Sequence, residues 1–218
     1  MKQLLGTDFI EHYAVSSNVC VEDYIAENCD AIKFDLDDGK GVVPEGLGKL
    51  SLENLNGVFD LLHYEGFIGE CKRPRTFQEG RKRCDYVLWH TKQKETFLLC
   101  EITSALGGRD NLEKPIEMYY GGKLQKAEIQ LAESLKTLLG VPSIKAYVDD
   151  YAKKVCLMAY RIYPYKEKAL NDFVKPFQRF SLIEMLETGN NGAELDAPEI
   201  NAMGFSFRRI AHGAVFSI

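Results

Sequence analysis

Residues 84–103 constrain the fold more than any other part of the chain. Cys84-Asp85-Tyr86-Val87-Leu88-Trp89-His90 is rich in strand formers, and Thr91-Lys92-Gln93-Lys94 is a polar turn. Glu95-Thr96-Phe97-Leu98-Leu99-Cys100-Glu101-Ile102-Thr103 is a second strand. Its stretch 97–100 is apolar without a break, the pattern of a central strand buried on both faces. The hairpin predicts an α/β domain.

The flanking sequence supplies the helices. Residues 121–139 predict the strongest one, because Leu124, Ala127, Leu131, Leu135 and Leu138 fall at i, i+3, i+7, i+11 and i+14. Gly140 and Pro142 end it. A strand follows over 154–163. Upstream, 21–33 predict an amphipathic helix with Val21, Tyr24, Ile25 and Cys29 on one stripe. Residues 57–72 predict two short strands, 58–64 and 67–72, joined by a tight turn at Glu65-Gly66. Residues 73–82 are basic, hold Pro74 and Gly80, and predict a loop. Downstream come helices around 166–175 and 181–187, a glycine-asparagine loop at 189–192, and a strand pair near 203–217. With no linker and no repeat, residues 1–218 predict a single domain.

Composition narrows the class. Hydrophobic residues at 45% and charged residues at 27% suffice for a core and exclude a disordered chain. No apolar run reaches the roughly 18 residues of a membrane span. The first residues lack the apolar stretch of a secretory signal. The six cysteines form no CxxC pair, which argues for reduced thiols, a cytoplasmic location and no structural zinc. Net charge is −5, unevenly spread. Residues 1–70 carry 4 Lys/Arg against 14 Asp/Glu, whereas 71–94 carry 8 against 2. A local basic patch facing phosphates is therefore compatible with an acidic total. Asp35-Leu36-Asp37-Asp38-Gly39-Lys40-Gly41 fails as a calcium loop. An EF-hand that starts at Asp35 needs glycine at 40 and glutamate at 46, where the chain has Lys40 and Gly46. It predicts an acidic glycine turn.

The hairpin also carries the candidate chemistry. Asp85 begins the first arm and Glu101 lies near the end of the second, so antiparallel pairing brings them together. Two such carboxylates suit Mg²⁺ or Mn²⁺. A glutamate between Cys100 and Ile102 in a buried strand is costly unless something binds it.

Asp85, a spacer of fifteen residues, Glu101-Ile102-Thr103, and a helix with Gln130-Leu131 together resemble the PD-(D/E)XK, or restriction-endonuclease-like, nuclease superfamily. The resemblance covers about residues 57–163. It implies a mixed central sheet flanked by helices, built as a helix, a three-strand meander, a helix and a further strand. It implies that Asp85 and Glu101 ligate Mg²⁺ or Mn²⁺ in a nuclease acting on DNA or RNA. Thr103 departs from the pattern, since it stands where the family has a lysine and carries no charge. Two replacements offer themselves. One is the helix, where Lys123, Lys126 and Gln130 share a face opposite the apolar stripe. The other is Lys72. A rival register, Asp60 with Glu70-Cys71-Lys72, keeps the lysine but is followed by a basic loop with Pro74 instead of a helix. The Asp85/Glu101 register is preferred. Arg73, Arg75, Arg81, Lys82 and Arg83 would then face the phosphate backbone, alone or within a homodimer or larger assembly. The alternative is a nuclease-like domain that binds nucleic acid or protein without cutting. An acidic partner-binding role built on the first seventy residues is a weaker third reading.

Overall fold

Short strands dominate the chain and sort into two sheets. The computed structural model describes residues 1–15, 18–55, 57–71, 82–107, 123–162 and 189–218. Helical stretches Lys2–Leu4, Leu5–Phe9 (π-helical) and Ile10–His12 run on as α1. A 3₁₀ turn, Val21–Tyr24, leads into β1 (Ile25–Cys29), β2 (Lys33–Asp37), β3 (Gly41–Val43), β4 (Leu50–Glu53) and β5 (Phe59–His63). Next come α2 (Tyr64–Glu70), β6 (Tyr86–His90), β7 (Thr96–Gly107), α3 (Lys123–Leu139), α4 (Pro142–Asp149) and β8 (Lys153–Ile162). The chain continues through β9 (Ala193–Leu195), α5 (Pro198–Ala202), β10 (Ser206–Ala211) and β11 (Val215–Ser217). The large sheet has the order β1-β5-β6-β7-β8-β10-β9, and the small one β11-β4-β2-β3.

The architecture is mixed α/β in three layers. β7 lies between β6, antiparallel, and β8, parallel. Phe97 and Leu99 face the helices, in one cluster with Leu5, Phe67, Leu131, Leu135 and Ile144. Leu98 and Cys100 face the small sheet, in a second cluster with Phe34, Leu36, Leu52 and Phe216. All four residues from Phe97 to Cys100 are fully buried. The unbroken apolar run is thus explained by a layer on each face.

Helix α3 supplies the largest apolar ridge on the helical side. Ala127, Leu131, Leu135 and Leu138 are buried there, as their spacing predicts. Removing one such leucine costs about 2–5 kcal/mol. Gly140 closes the helix with its N–H on the Lys136 carbonyl at 2.9 Å. A Cβ at Gly140 would meet the Tyr13 hydroxyl at 2.7 Å and the Lys136 carbonyl at 3.1 Å, so a larger residue there would have to displace the Tyr13 side chain. Pro142 opens α4 at its first turn, where a missing N–H costs nothing. Among the described residues no helix is long and apolar enough to cross a membrane.

Three expectations need correction. Residues 21–33 form a 3₁₀ turn and β1 instead of a helix, because Ile25 and Ala26 pair with Leu62 and Leu61 on the open edge of β5. The predicted strand at 67–72 is, over its described part, the end of helix α2. Tyr64, Phe67 and Ile68 fall at i, i+3 and i+4 and bury together, a period that alternation had masked. The strands near 203–217 do not pair with each other, since β10 runs parallel to β8 and β11 parallel to β4. The helices expected around 166–175 and 181–187 lie outside the described residues.

Candidate functional site

Asp85 occupies a bend just before β6, fixed from three sides. Its N–H donates to the Cys100 carbonyl at 3.0 Å, and its carbonyl accepts from Tyr64 N–H at 2.9 Å. Its carboxylate Oδ2 accepts the Ile102 N–H at 2.6 Å. Tyr86 pairs with Cys100, so the next step of the antiparallel register sets Asp85 opposite Glu101. Both are buried, each at 7% exposure. Glu101 Oε2 is buried without a hydrogen-bond partner among the described residues.

Electrostatics follow from this placement. Burial, first of all, pushes the Asp85 carboxyl well above the usual carboxylate range. The Ile102 N–H opposes that rise, while the charges of Asp38 and Glu65 add to it and Lys49 subtracts from it. Glu101 is pushed up further, by burial and then by Asp85 and Glu65, with Lys126 pulling the other way. Four acids thus act on one another against two ammonium groups. Such a constellation leaves its buried carboxylates partly protonated unless a cation joins them.

The approach to Asp85 is held by α3. Gln130 Nε2 donates to the Arg83 carbonyl at 2.7 Å. Ser134 Oγ accepts the Cys84 N–H at 2.8 Å and donates to the Gln130 carbonyl at 2.7 Å. The predicted Gln130 therefore touches the backbone two residues before Asp85. Lys126, on the same helix face, is exposed and acts on Glu101 through its charge. Lys82 and Arg83 are half-buried and line a small crevice between α2 and α3, with Tyr64, Ile68 and Glu133. Lys72, Arg73, Arg75 and Arg81 lie outside the described residues. In the rival register Asp60 lies on β5, accepting the Asn28 N–H at 2.9 Å, while Glu70 ends helix α2 instead of lying on a strand.

Sequence reasoning missed Ser134, Glu65, Asp38 and Lys49. Ser134 carried a signal, being a buried hydroxyl on the apolar stripe three residues after Leu131. The other three reach the site only through long-range folding.

Oxygen donors such as Asp85 and Glu101 suit a hard divalent cation, which the Glu101 oxygen left unpartnered among the described residues would be placed to meet. Among the described residues no three His, Cys, Asp or Glu side chains gather as a ready-made cage. Comparison with protein-family models, curated proteins and solved structures finds no match for this chain.

Proposed function

We propose that this chain is a metal-dependent nuclease that hydrolyses phosphodiester bonds, with Asp85 and Glu101 holding Mg²⁺ or Mn²⁺. The observation that carries the reading is the buried pair itself, Asp85 just before β6 opposed to Glu101 on β7, with one Glu101 oxygen unpartnered among the described residues. The element order supports it: the β5-β6-β7 meander, helix α3, then β8 beside β7, as the restriction-endonuclease-like resemblance implies. Two protein carboxylates, with water and phosphate oxygens completing the shell, match how Mg²⁺ is commonly bound.

A bound divalent cation supplies charge stabilisation at the phosphoryl group. Asp85 orients its carboxylate through the Ile102 N–H, and together with Glu101, both in the ionised form, would hold the ion. Gln130 and Ser134 hold Arg83 and Cys84 so that Asp85 keeps its register. In the reaction a water oxygen bonds to phosphorus, the bond to the leaving oxygen breaks, and a proton passes from the water side to that leaving group. Lys126 stands near Glu101 to favour the developing negative charge.

Supercoiled plasmid and single-stranded RNA, incubated with Mg²⁺ or Mn²⁺, test the reading. Wild type cuts one of them and chelation stops it, while Glu101→Ala is folded and inactive. Cleavage undiminished in Glu101→Ala disposes of the assignment. The uncharged Thr103 favours a second reading, a nuclease-like module that binds nucleic acid or protein without cutting. Titration calorimetry separates the two, since the module binds neither Mg²⁺ nor Mn²⁺ in the presence of nucleic acid.

A further inference from the structure

We propose that Arg83, with Lys82 beside it, is a subsite for a nucleic-acid backbone phosphate one or two nucleotides away from the one held at the Asp85–Glu101 pair. The inference rests on the nuclease reading above and adds to it a contact separate from the metal. Of the basic run before β6, Lys82 and Arg83 are the members that fall among the described residues.

The first observation is a set of unmet donors. A guanidinium carries five N–H donors and no acceptor. The Arg83 side chain meets no hydrogen-bond acceptor among the described residues, and its Nε is enclosed. No carboxylate among those residues lies within ion-pair distance of Arg83 or Lys82. Both side chains are only half-buried, so an anion reaches them from outside.

The second is the charge around the crevice that these two residues line. Tyr64 and Ile68 of α2 form one wall, Ser134 and Thr137 of α3 the other. The acid in its lining is Glu133, whose carboxylate already lies 3.0 Å from the Lys136 ammonium. Lys136 is shared with Glu199 at 3.1 Å. Lys82, Arg83 and Lys136 thus stand against Glu133 and Glu199, which leaves the crevice mouth with an excess of positive charge.

The third is placement. Tyr64, Ile68 and Cys84 belong to the cluster on the helical side of the large sheet, as do Phe97 and Leu99. Alternation along β7 turns Glu101 to that same side, away from Leu98 and Cys100. Arg83 stands two residues before Asp85, its carbonyl held by Gln130 Nε2 at 2.7 Å. The Asp85 carbonyl accepts the N–H of Tyr64, at the start of α2. The Arg83 guanidinium lies against the far end of that helix, with Nη1 3.6 Å from where a Cβ on Gly69 would stand. From residue 64 to residue 69 an α-helix rises about 7.5 Å. That is about two steps along one strand of a duplex, at roughly 3.4 Å each.

The test measures binding of a short DNA duplex, and of single-stranded RNA, in Ca²⁺ across a salt series. One phosphate contact contributes about one unit to the slope of log affinity against log salt. Arg83→Gln is expected to lower the slope by about one, and Arg83→Lys to keep it. Melting midpoints check that each variant is folded. Glu133→Gln is the second variant: it takes a negative charge from the crevice, and should tighten binding several-fold at low salt with the gain fading at high salt. It decides the matter should Arg83→Gln fail to fold. An unchanged slope in folded Arg83→Gln, or binding no tighter in Glu133→Gln, overturns the subsite while leaving the nuclease reading intact. Wild type that binds neither Mn²⁺ nor either nucleic acid overturns both.

Discussion

Asp37 and Glu101 are buried to nearly the same extent, at 6% and 7% exposure, yet their carboxyl groups shift in opposite directions. Hydrogen bonding from Lys40 leads in holding Asp37 below the usual carboxylate range, with Lys49 helping. Burial, then Asp85, drives Glu101 above it. Residue exposure alone does not set the ionisation of an acid; how deeply the carboxyl group itself sits and which partners the fold supplies do. One acid is a finished ion pair that closes a turn. The other has no such counter-charge beside it, which is the contrast that the proposed cation site would resolve.

The sharpest way to break this contrast is Glu101→Gln. It should lower Mn²⁺ affinity at least tenfold by calorimetry, and at alkaline pH without metal raise stability by about 2 kcal/mol, because like-charge repulsion and a buried charge both disappear. A loss of stability there would show that Glu101 already has its counter-charge. Ser134→Ala comes next, with an expected cost of about 1–3 kcal/mol in denaturant melts, since the buried Cys84 N–H loses its acceptor. No loss would mean that α3 does not hold the Asp85 approach.

The pH dependence of wild type is a subtler measure. Folded Asp85 and Glu101 bind protons more tightly than in the unfolded chain. Their contribution to stability is therefore complete below the ordinary carboxylate range, near about pH 4, and is lost as pH rises through the raised values. Metal-free melting midpoints should fall over that rise, and saturating Mg²⁺ should flatten the fall. A flat metal-free profile would contradict the raised values. Asp37→Asn should give the smallest effect, a slight drop in melting midpoint that vanishes in high salt, as befits a pair with exposed lysines.

What could be read from the amino-acid order follows the strength of its periodicity. The β6–β7 hairpin, α3 and β8 announce themselves through long apolar patterns, and their residues lie in the two cores. The small sheet does not. Its strand Lys-Phe-Asp-Leu-Asp looks like an acidic loop, and the Gly46 and Gly48 N–H groups that satisfy one oxygen of the buried Asp35 come from a later loop. Helix α2 was hidden because seven residues fit period 2 and period 3.6 alike. The facing of Asp85 and Glu101 was legible because hairpin register is local. Glu65, Asp38 and Lys49 were not, because they arrive from other elements.

The pairing of β11 with β4 joins Val215 to Ser51. During synthesis, β4 must wait for most of the chain to emerge before its partner arrives, exposing one unsatisfied backbone ladder meanwhile. Contacts so far apart in the chain close slowly. Folding intermediates with the helical side assembled and the small sheet still open are the species most prone to stick to one another, and a chaperone would act on them first.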